Sequence, residues 1–527
     1  MVHRVLMIVA MGMSLFIAIL DVTMVSTIVP NISNDFQSVK DVGWYGSAYL
    51  LASGSTQPTF GKLYATFSHK AIFLSSILFL GGGSLICALA HNSSSFIIGR
   101  AVAGLGCAGC TSGSLIVTAT IAPLRQRPTL IGIVGSLECF GIVLGPILGG
   151  AIASHIGWRW CFWINLPIGG VVFIILFFFF KPPPQALGQK APLKDRIKQV
   201  DVIGGAGLVG SIACLLLAIQ WVPSQYNWNS PRIIGLLVVF GVSFVSVGVY
   251  QHYLKEKATF PTRLLRNRSF ASCLWYGFTL SSAQMIVLYY TPVWFQVIQG
   301  VSARESGIRI LPMVLALIFS GGLSGIGASS VGYLPPFMIV GTVLASIGAG
   351  MLYTFNPDIE RAKWIVYQIL FGLGTGAGVP QSLMGVQIAL DPSDVPYGAS
   401  AIILVNNIGG SIFISVGQNL LITKIERLTQ LIPSLDRHTL LTRFDFLRES
   451  LTPEQLAIAL RVYNNGMQMV FMTAIILGCL SVFGWVFIKW ISLKGSKQAS
   501  SSTEGVSLKD AATKTQSRHS QHSTPGI

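Results

Sequence analysis

Long apolar segments recur along this whole chain, and they restrict the folds open to it more than any other feature. Each runs for about 20 residues with few charges, which is long enough for a helix to cross a hydrocarbon layer about 30 Å thick. We therefore predict an all-α membrane protein with fourteen transmembrane helices. The predicted spans lie near residues 5–30, 42–62, 71–91, 96–121, 129–154, 160–180, 202–221, 232–252, 270–298, 306–327, 334–355, 363–386, 396–422 and 464–491.

The composition excludes a water-soluble protein. Hydrophobic residues make up 52% of the chain and charged residues 10%, and the mean hydropathy is +0.65. A soluble domain has about 25% charged residues, so this chain has too little polar material to cover a surface that faces water. A net charge of +16 would indicate a nucleic-acid partner in a soluble chain. Here most of that charge lies in loops between spans, so we expect a lipid bilayer and no nucleic acid as partner.

The uneven distribution of Lys and Arg between the two sets of loops predicts the orientation in the membrane. With an even number of spans, both ends of the chain lie on the same side. That side holds 21 Lys and Arg residues, and the short loops of the opposite side hold 7. Because cytoplasmic loops carry the excess of positive charge, both termini are predicted to be cytoplasmic. We expect the plasma membrane as the location, with the vacuolar membrane second.

Three ionisable residues fall inside predicted spans, where charge is costly and usually functional. Asp21 lies about 12 Å from the outer end of the first span, and Arg100 enters the fourth span from the same side, so their side chains can pair. Glu138 lies near the middle of the fifth span, and an unpaired carboxyl in an apolar setting can carry a proton near neutral pH. We interpret these residues as a proton-coupling site. The alternatives are a structural ion pair and, for Glu138, a carboxyl kept neutral by a neighbouring helix.

Small residues form a stripe along the fifth span. Gly141, Gly145 and Gly149 share one face because residues four apart on a helix are neighbours. In lipid, such a stripe lets a second helix backbone come very close. Pro146 removes a backbone donor in mid-helix and bends or loosens the helix there. Together with Gly150, these residues predict a moving seam between helices.

The second half of the chain has no acid in the middle of a span, but it offers amide and aromatic side chains. Apolar and aromatic walls with a few polar contacts suit a hydrophobic, weakly polar ligand, so we predict a substrate cavity there. For each residue the alternative is ordinary hydrogen bonding between helices. The cavity candidates are Gln284, Tyr289, Trp294, Gln381, Asn406 and Asn407.

Short motifs indicate glycosylation but no cofactor. Asn31 and Asn92 begin Asn-x-Ser sequons on the predicted outer side. The 8 His residues are scattered without ligand spacing, so no metal site is predicted. No G-x-x-x-x-G-K-[ST] phosphate loop occurs, which argues against pumping driven by ATP within this chain. No cluster of His, Cys or acids near an interface indicates an enzyme.

The fifth span and the hairpin after it carry the most specific motif. Gly141–Gly150 reads Gly-x-x-x-Gly-Pro-x-x-Gly-Gly, and Trp158–Pro167 reads Trp-Arg-Trp-x-Phe-x-Ile-Asn-Leu-Pro. This run resembles the antiporter signature of the major facilitator superfamily and, more narrowly, the fourteen-span drug:H+ antiporters, which include fungal toxin and multidrug exporters. Leu20–Thr23 and Arg100–Gly106 are similar to the first-span and fourth-span motifs of that family. The arginine of the fourth-span motif is associated with proton transfer there.

The loop after the second span departs from the family pattern. Residues 61–70 keep the family's Gly, Leu and final base, but Ala65 stands where the family has an acid. Thr66 and His69 stand where bases are usual. The cytoplasmic salt-bridge latch attributed to that loop is therefore not expected in its usual form. Glu138 matches no family motif, and its interpretation rests on the residues alone.

The resemblance implies two six-helix bundles around a central cavity, with two additional spans between them. The first bundle is expected at 1–181 and the second at 254–493, and the two additional helices at 201–253. A basic cytoplasmic linker at 182–200 and an extracellular loop at 423–463 connect these parts. The tail at 494–527 is rich in Ser, Thr and Lys and is expected to be disordered and cytoplasmic.

The resemblance also implies a transport activity. We predict a proton-coupled secondary transporter that exports a hydrophobic small molecule (a drug, toxin or secondary metabolite) by alternating access, working as a monomer. One alternative is a proton-coupled importer of a siderophore, sugar or amino acid on the same fold. The other is a membrane protein without transport activity.

Overall fold

The computed structural model describes residues 2–38, 41–121, 124–180, 201–224, 226, 228–431 and 452–490. Within these ranges the chain forms helices joined by turns, and no strand is found. The predicted linker at 182–200 and the predicted tail at 494–527 lie outside the described residues. So does the central part of the predicted loop at 423–463.

Fourteen long helices in the described ranges correspond to the fourteen predicted spans. The first six are α1 (Val2–Phe36), α2 (Val42–Thr66), α3 (His69–Ala88), α4 (Ser93–Ile121), α5 (Arg127–His155) and α6 (Asn165–Phe179). The next two are α7 (Val202–Ser224) and α8 (Pro231–Leu254). The last six are α9 (Arg268–Val297), α10 (Leu311–Val331), α11 (Pro335–Tyr353), α12 (Arg361–Ala389), α13 (Val395–Leu431) and α14 (Pro453–Leu480).

Thirteen of these helices are both long and apolar enough to cross a membrane, when α6 is counted with the short helix before it as Trp160–Phe179, and α2 is the more polar one. At 25 residues it is still long enough, since it extends about 37 Å at 1.5 Å per residue. Its polar side chains face protein: Gln57 is fully buried, and its Nε2 donates to Oγ of Ser112 on α4 at 2.7 Å. The fourteen-helix, all-α fold class predicted from the sequence is confirmed.

The first helix is longer than predicted. The predicted span near residues 5–30 lies within α1, which continues to Phe36, and the part of α1 found apolar enough to cross a membrane, Leu6–Val25, lies inside the predicted span. Ile28 and Ile32, both fully buried, extend the packed face of the helix by one further turn. Asp21 lies about four helical turns from the end of α1.

The last helix begins earlier than predicted. It starts at Pro453 rather than near residue 464, because Thr452 caps it. The Thr452 hydroxyl accepts from the backbone N–H of Gln455, and Oε1 of Gln455 accepts from the backbone N–H of Thr452. Helix α13 likewise continues to Leu431. The region between spans is thus shorter than the predicted extracellular loop at 423–463.

Helices α7 and α8 form a pair beside the two bundles. Among the described side chains of α8, only Ile233 and Gln251 are buried, and more than half of its residues are exposed. Helix α7 packs against α2 of the first bundle. It also contacts the second bundle, where Oγ of Ser415 on α13 donates to the carbonyl oxygen of Ile219 at 2.8 Å.

The two bundles meet at the end that carries the basic loops. A Cβ built on Gly132 of α5 would lie 2.7 Å from the carbonyl oxygen of Gly321 on α10. A Cβ built on Gly325 of α10 would lie 2.4 Å from the carbonyl oxygen of Pro128. Small residues permit this approach of two backbones. The bundles are therefore in contact at the end that the charge distribution predicts to be cytoplasmic.

Candidate proton-coupling site and transport pathway

A buried ion pair lies inside the first bundle. Nη1 of Arg100 on α4 contacts Oδ2 of Asp21 on α1, and neither side chain is exposed. Two further contacts fix the guanidinium: Nε donates to the carbonyl oxygen of Tyr45 at 2.9 Å, and the guanidinium carbon lies 4.5 Å from the centroid of the Tyr49 ring. The two residues whose pairing the sequence allowed are therefore in direct contact.

Because the pair is buried, the packing around it depends on whether Asp21 is charged or protonated. Moving two charges out of water costs several kcal/mol for each, and this is offset only when the geometry and the additional hydrogen bonds are good. Protonation of Asp21 would leave Arg100 buried without its counter-charge. A proton that arrives at or leaves Asp21 is therefore coupled to the packing of α1 against α4.

A third polar side chain completes the site, and its role was not predicted from the sequence. Nδ2 of Asn165, the first residue of α6, donates to Oδ1 of Asp21 at 2.8 Å and to Oγ of Ser84 on α3 at 3.2 Å. Asn165 is 1% exposed. The two carboxylate oxygens thus differ, because one faces a cation and the other a neutral amide. The sequence signal that could have identified Asn165 is a single amide side chain near the start of an apolar span.

Glu138 lies apart from this pair. It is a half-buried residue of α5, and among the residues that the structure describes its carboxyl has no hydrogen-bond or ion-pair partner. The Cys107 thiol on α4 lies within electrostatic range of it. The structure thus brings Asp21 and Arg100 together and leaves the third predicted coupling residue as an unpaired acid nearby in the same bundle.

The glycine stripe of α5 packs against α1. A Cβ built on Gly145 would lie 2.6 Å from Cβ of Thr23, and one built on Gly149 would lie 2.6 Å from Oγ1 of Thr27. The carbonyl oxygen of Gly141 accepts from Oγ1 of Thr23 at 3.0 Å. The close approach predicted for this stripe is therefore observed, immediately beside Asp21.

Two residues of the predicted seam lie off this contact. Pro146 and Gly150 are exposed, and a Cβ built on Gly150 would meet nothing within 4 Å. The stripe therefore joins two helices of one bundle, whereas the contact between bundles uses Gly132 and its neighbours at the other end of α5. Its role in setting the direction of transport stays a prediction.

Two of the predicted cavity residues are engaged in contacts between helices. The indole N–H of Trp294, a fully buried residue of α9, donates to Oδ1 of Asn464 on α14 at 2.8 Å. Nε2 of Gln381 on α12 donates to Oγ of Ser324 on α10 at 3.2 Å. For these two residues the geometry favours the alternative of hydrogen bonding between helices.

The other four cavity candidates are more accessible. In the amide orientation that gives it hydrogen-bond partners, Nδ2 of Asn406 on α13 donates to the carbonyl oxygen of Gly277 on α9 at 3.1 Å. Its neighbour Asn407 is exposed and Gln284 is half-buried, and Tyr289 is 50% exposed. Asn407, Gln284 and Tyr289 remain the candidates for contacts with a ligand, whereas for Asn406 the geometry also favours hydrogen bonding between helices.

A lysine takes part in the contact between the bundles at the predicted cytoplasmic end. Lys62, near the end of α2, is 4% exposed. Its Nζ donates to the carbonyl oxygen of Ala258 at 3.0 Å and lies 5.6 Å from the centroid of the Tyr397 ring on α13. Close by, Arg263 and Asp394 form two hydrogen bonds of 2.8 Å. Lys62 thus connects the first bundle, the segment after α8 and the second bundle.

Lys62→Met is expected to loosen the contact between the bundles at this end. The loss of one charged hydrogen bond, worth about 1.5 kcal/mol, should speed backbone exchange in residues 255–266 and at the start of α13 about tenfold. Hydrogen–deuterium exchange with mass spectrometry measures this. Lys70→Met is the matched control, because Nζ of Lys70 bonds the carbonyl oxygen of Phe177 within one bundle. Equal exchange in both variants would contradict the assignment.

The remaining predicted sites are on the surface. Asn31 lies near the end of α1 and Asn92 in the turn before α4, and both are exposed. Oδ1 of Asn92 accepts from the backbone N–H of Ser95 at 2.8 Å. Glycosylation stays a prediction. In the part of the chain that the structure describes, no three His, Cys, Asp or Glu side chains form a group that could hold a metal ion.

The sequence resembles known transporters over most of its length. A family model described as Major Facilitator Superfamily matches residues 11–414. The efflux pump apf11 of Gibberella fujikuroi is 51% identical over 496 residues, which cover 93% of this chain and 88% of that protein. The MFS-type transporter TOXA of Cochliobolus carbonum is 46% identical over 492 residues, covering 93% of this chain and 90% of that protein.

Solved structures share the fold at low sequence identity. The proton:xylose symporter XylE has a TM-score of 0.59 and 14% identity, and the match covers 93% of this chain and 96% of that chain. The human organic anion transporter MFSD10 has a TM-score of 0.58 and 12% identity, and the match covers 90% and 99%. The family model and the relatives together span nearly the whole sequence, so this chain belongs to the major facilitator superfamily.

Proposed function

We propose that this protein exports hydrophobic small molecules by alternating access, in exchange for protons. The observation that carries the proposal is the fully buried pair of Asp21 and Arg100. Ionisable groups are expensive inside a membrane protein and usually mark an ion pathway. The outward direction is supported by the relative at 51% identity, which is named an efflux pump.

The cycle follows from the packing of the bundles. Contact on the cytoplasmic side leaves the opposite side as the one from which a proton reaches Asp21. Protonation neutralises the carboxylate, weakens the attraction to Arg100 and so changes the packing of α1 against α4 within the first bundle. This rearrangement of the first bundle in turn loosens its contact with the second bundle. In the state that opens to the cytoplasm, Asp21 releases the proton and the cargo binds. The return carries the cargo outward, so the proton gradient drives export.

Glu138 is proposed as a second proton carrier. Its carboxyl has no partner among the described residues, so it takes up a proton without breaking a described contact. It lies one turn before Gly141, where α5 packs against α1. Movement of α5 relative to α4 would change the surroundings of this acid and hence its affinity for a proton.

Glu138→Gln is expected to lower proton-driven export about tenfold or more, in line with the loss of one positioned proton-transfer group. The amount of folded protein should not change, since the amide keeps the size of the side chain and no contact is lost. Export and protein amount are measured in the same membranes. Glu305→Gln, at an exposed acid paired with Arg309, is the control. Normal export by Glu138→Gln would remove Glu138 from the mechanism.

We place the protein in the plasma membrane, because export from the cell requires that location, and we propose that one chain forms the transport unit. Its two bundles are the two parts that move relative to each other in alternating access, so a second copy is not needed. Fluorescence microscopy of a tagged chain checks the location. Mass photometry in detergent checks the number of copies.

The direction of transport is tested in yeast cells that lack their own drug pumps. Cells that express the protein are loaded with rhodamine 6G or Nile red, a cationic and a neutral hydrophobic dye, and are also grown on a panel of hydrophobic toxins. Lower dye content and higher tolerance than in vector-only cells are expected. Higher content or higher sensitivity would instead establish import. A protonophore should abolish the difference if protons drive the export.

A further inference from the structure

We propose that Asn165 and Ser84 form a reversible hydrogen-bond relay that lets Asp21 gain and lose its proton at Oδ1 while this oxygen stays hydrogen-bonded in both protonation states. Asn165 is then a positioning residue, which acts through Asp21. The inference deepens the proposed function and rests on Asp21 being the coupling acid. It assigns the proton to one carboxylate oxygen and links the proton to two further helices, α3 and α6.

The partners of the two oxygens distinguish them. Oδ2 of Asp21 is occupied by the Arg100 guanidinium, which only donates hydrogen bonds. A proton on Oδ2 would therefore point at another N–H group. Oδ1 faces the neutral amide of Asn165 at 2.8 Å. Because an amide can donate from one end and accept at the other, Oδ1 is the oxygen that can carry a proton and stay bonded.

The amide of Asn165 can serve both protonation states of Asp21. Its Nδ2 now donates to the carboxylate, and its own Oδ1 has no partner among the described residues. A half-turn of the amide exchanges two groups of nearly equal size. It would place the amide oxygen where Nδ2 is now, ready to accept the O–H of the protonated acid.

Ser84 completes the relay because a hydroxyl both donates and accepts. Its Oγ accepts from Nδ2 of Asn165 at 3.2 Å, and Ser84 is fully buried. After the half-turn the same hydroxyl would donate to the amide oxygen of Asn165. The bond that forms is O–H on Asp21, the positive charge stays on Arg100, and no other proton is transferred between side chains.

The other groups that face Asp21 are bonded elsewhere. The hydroxyl of Tyr49 on α2 donates to the carbonyl oxygen of Ala18 at 2.9 Å. The thiols of Cys87 on α3 and Cys161, before α6, donate to backbone carbonyls. The remaining titratable groups around the site are Arg100 and Cys107 on α4, with Glu138 on α5 lying near Cys107. Asn165 is thus the uncharged side chain that directly contacts the carboxylate of Asp21.

Asn165→Leu tests the relay, since leucine has a similar size and no polar group. The pH at which proton-driven efflux of a dye is half-maximal is expected to rise by about one unit, because the carboxylate loses a donor. The maximal rate should fall about tenfold, because the protonated acid loses its acceptor. Asn464→Leu is the matched control: it removes another buried asparagine, bonded to Trp294 and to the Phe355 carbonyl, and should leave the midpoint unchanged.

Two further variants separate the relay from simple packing. Asn165→Asp offers an O–H and a C=O at the same positions when it is protonated, so it should keep a higher maximal rate than Asn165→Leu. Ser84→Ala should lower the rate while the midpoint stays within about 0.3 units, since Nδ2 still reaches Asp21. If all three variants keep the wild-type midpoint and lose rate equally, Asn165 only packs, and the relay is wrong.

Infrared titration of the purified protein in lipid, without any cargo, separates this inference from the proposed function. The carbonyl band of protonated Asp21 is identified by its absence in Asp21→Asn. The relay predicts that Asn165→Leu moves this band to higher frequency, as expected for a carboxyl that has lost its hydrogen bond. A moved band without export would overturn the function and keep the relay. If the protein exports in a proton-coupled manner but Asn165→Leu leaves the band unmoved, the relay is wrong and the proposed function stands.

Discussion

Asp21→Asn is expected to abolish proton-driven export while the protein still folds and reaches the membrane. The amide keeps the shape of the carboxylate, but it holds no exchangeable proton and leaves Arg100 without a counter-charge. Breaking a buried ion pair costs about 3–5 kcal/mol, so stability should fall noticeably. The measurement is dye uptake into proteoliposomes with an acidic interior, normalised to the amount of folded transporter.

A surface acid of the same bundle provides the control. Asp35 pairs with Arg159 at 2.7 Å, but the two side chains are 43% and 39% exposed. Exposed pairs contribute about 0–1 kcal/mol, so Asp35→Asn should transport and fold as the wild type does. If Asp21→Asn retained gradient-driven uptake under the same conditions, the assignment of the coupling acid would be refuted.

Gly145→Val is expected to have the second largest effect, which is a loss of folded transporter. The first added carbon would lie 2.6 Å from Cβ of Thr23, so α1 and α5 must separate. Overpacking a close contact costs about 1–3 kcal/mol, and valine lies at the upper end because its branches also need space. Thermal unfolding in detergent, followed by size-exclusion fluorescence, measures the loss of stability.

The same helix offers a matched control at Gly150. A Cβ there meets nothing within 4 Å, so Gly150→Val adds the same atoms to the same helix without a clash. Its stability should stay within about 0.5 kcal/mol of the wild type, as for other surface substitutions. Equal stability of the two variants would show that the α1–α5 contact does not depend on the missing side chain.

The fold was largely predictable from the sequence because length and apolarity alone define a membrane span. Even α2, whose composition is more polar, was placed correctly, since its neighbours fix the number of crossings. The ends of the helices were harder to place. The last helix begins at Pro453 because of the cap at Thr452, and this signal lies outside the apolar run that defines the span.

The candidate site was only partly predictable. Depth along the spans was enough to bring Asp21 and Arg100 together, since each helix rises by a fixed distance per residue. The contact with Asn165 was not, because nothing in the sequence shows which face of α6 turns toward α1. Trp294 and Gln381 show the same limit. A polar side chain in a span can bond to a neighbouring helix or face a cavity, and the sequence does not distinguish the two situations.

The described contacts of the Asp21–Arg100 pair come from the first half of the chain: Asn165 on α6 bonds Asp21, and the Tyr49 ring on α2 contacts the Arg100 guanidinium. The most accessible polar candidates for a ligand lie in the other half of the chain. Substitutions there can change which compound is recognised without altering the energy-converting centre. New cargo specificities can therefore evolve while the Asp21–Arg100 site stays unchanged, which provides a physical route by which related transporters diversify.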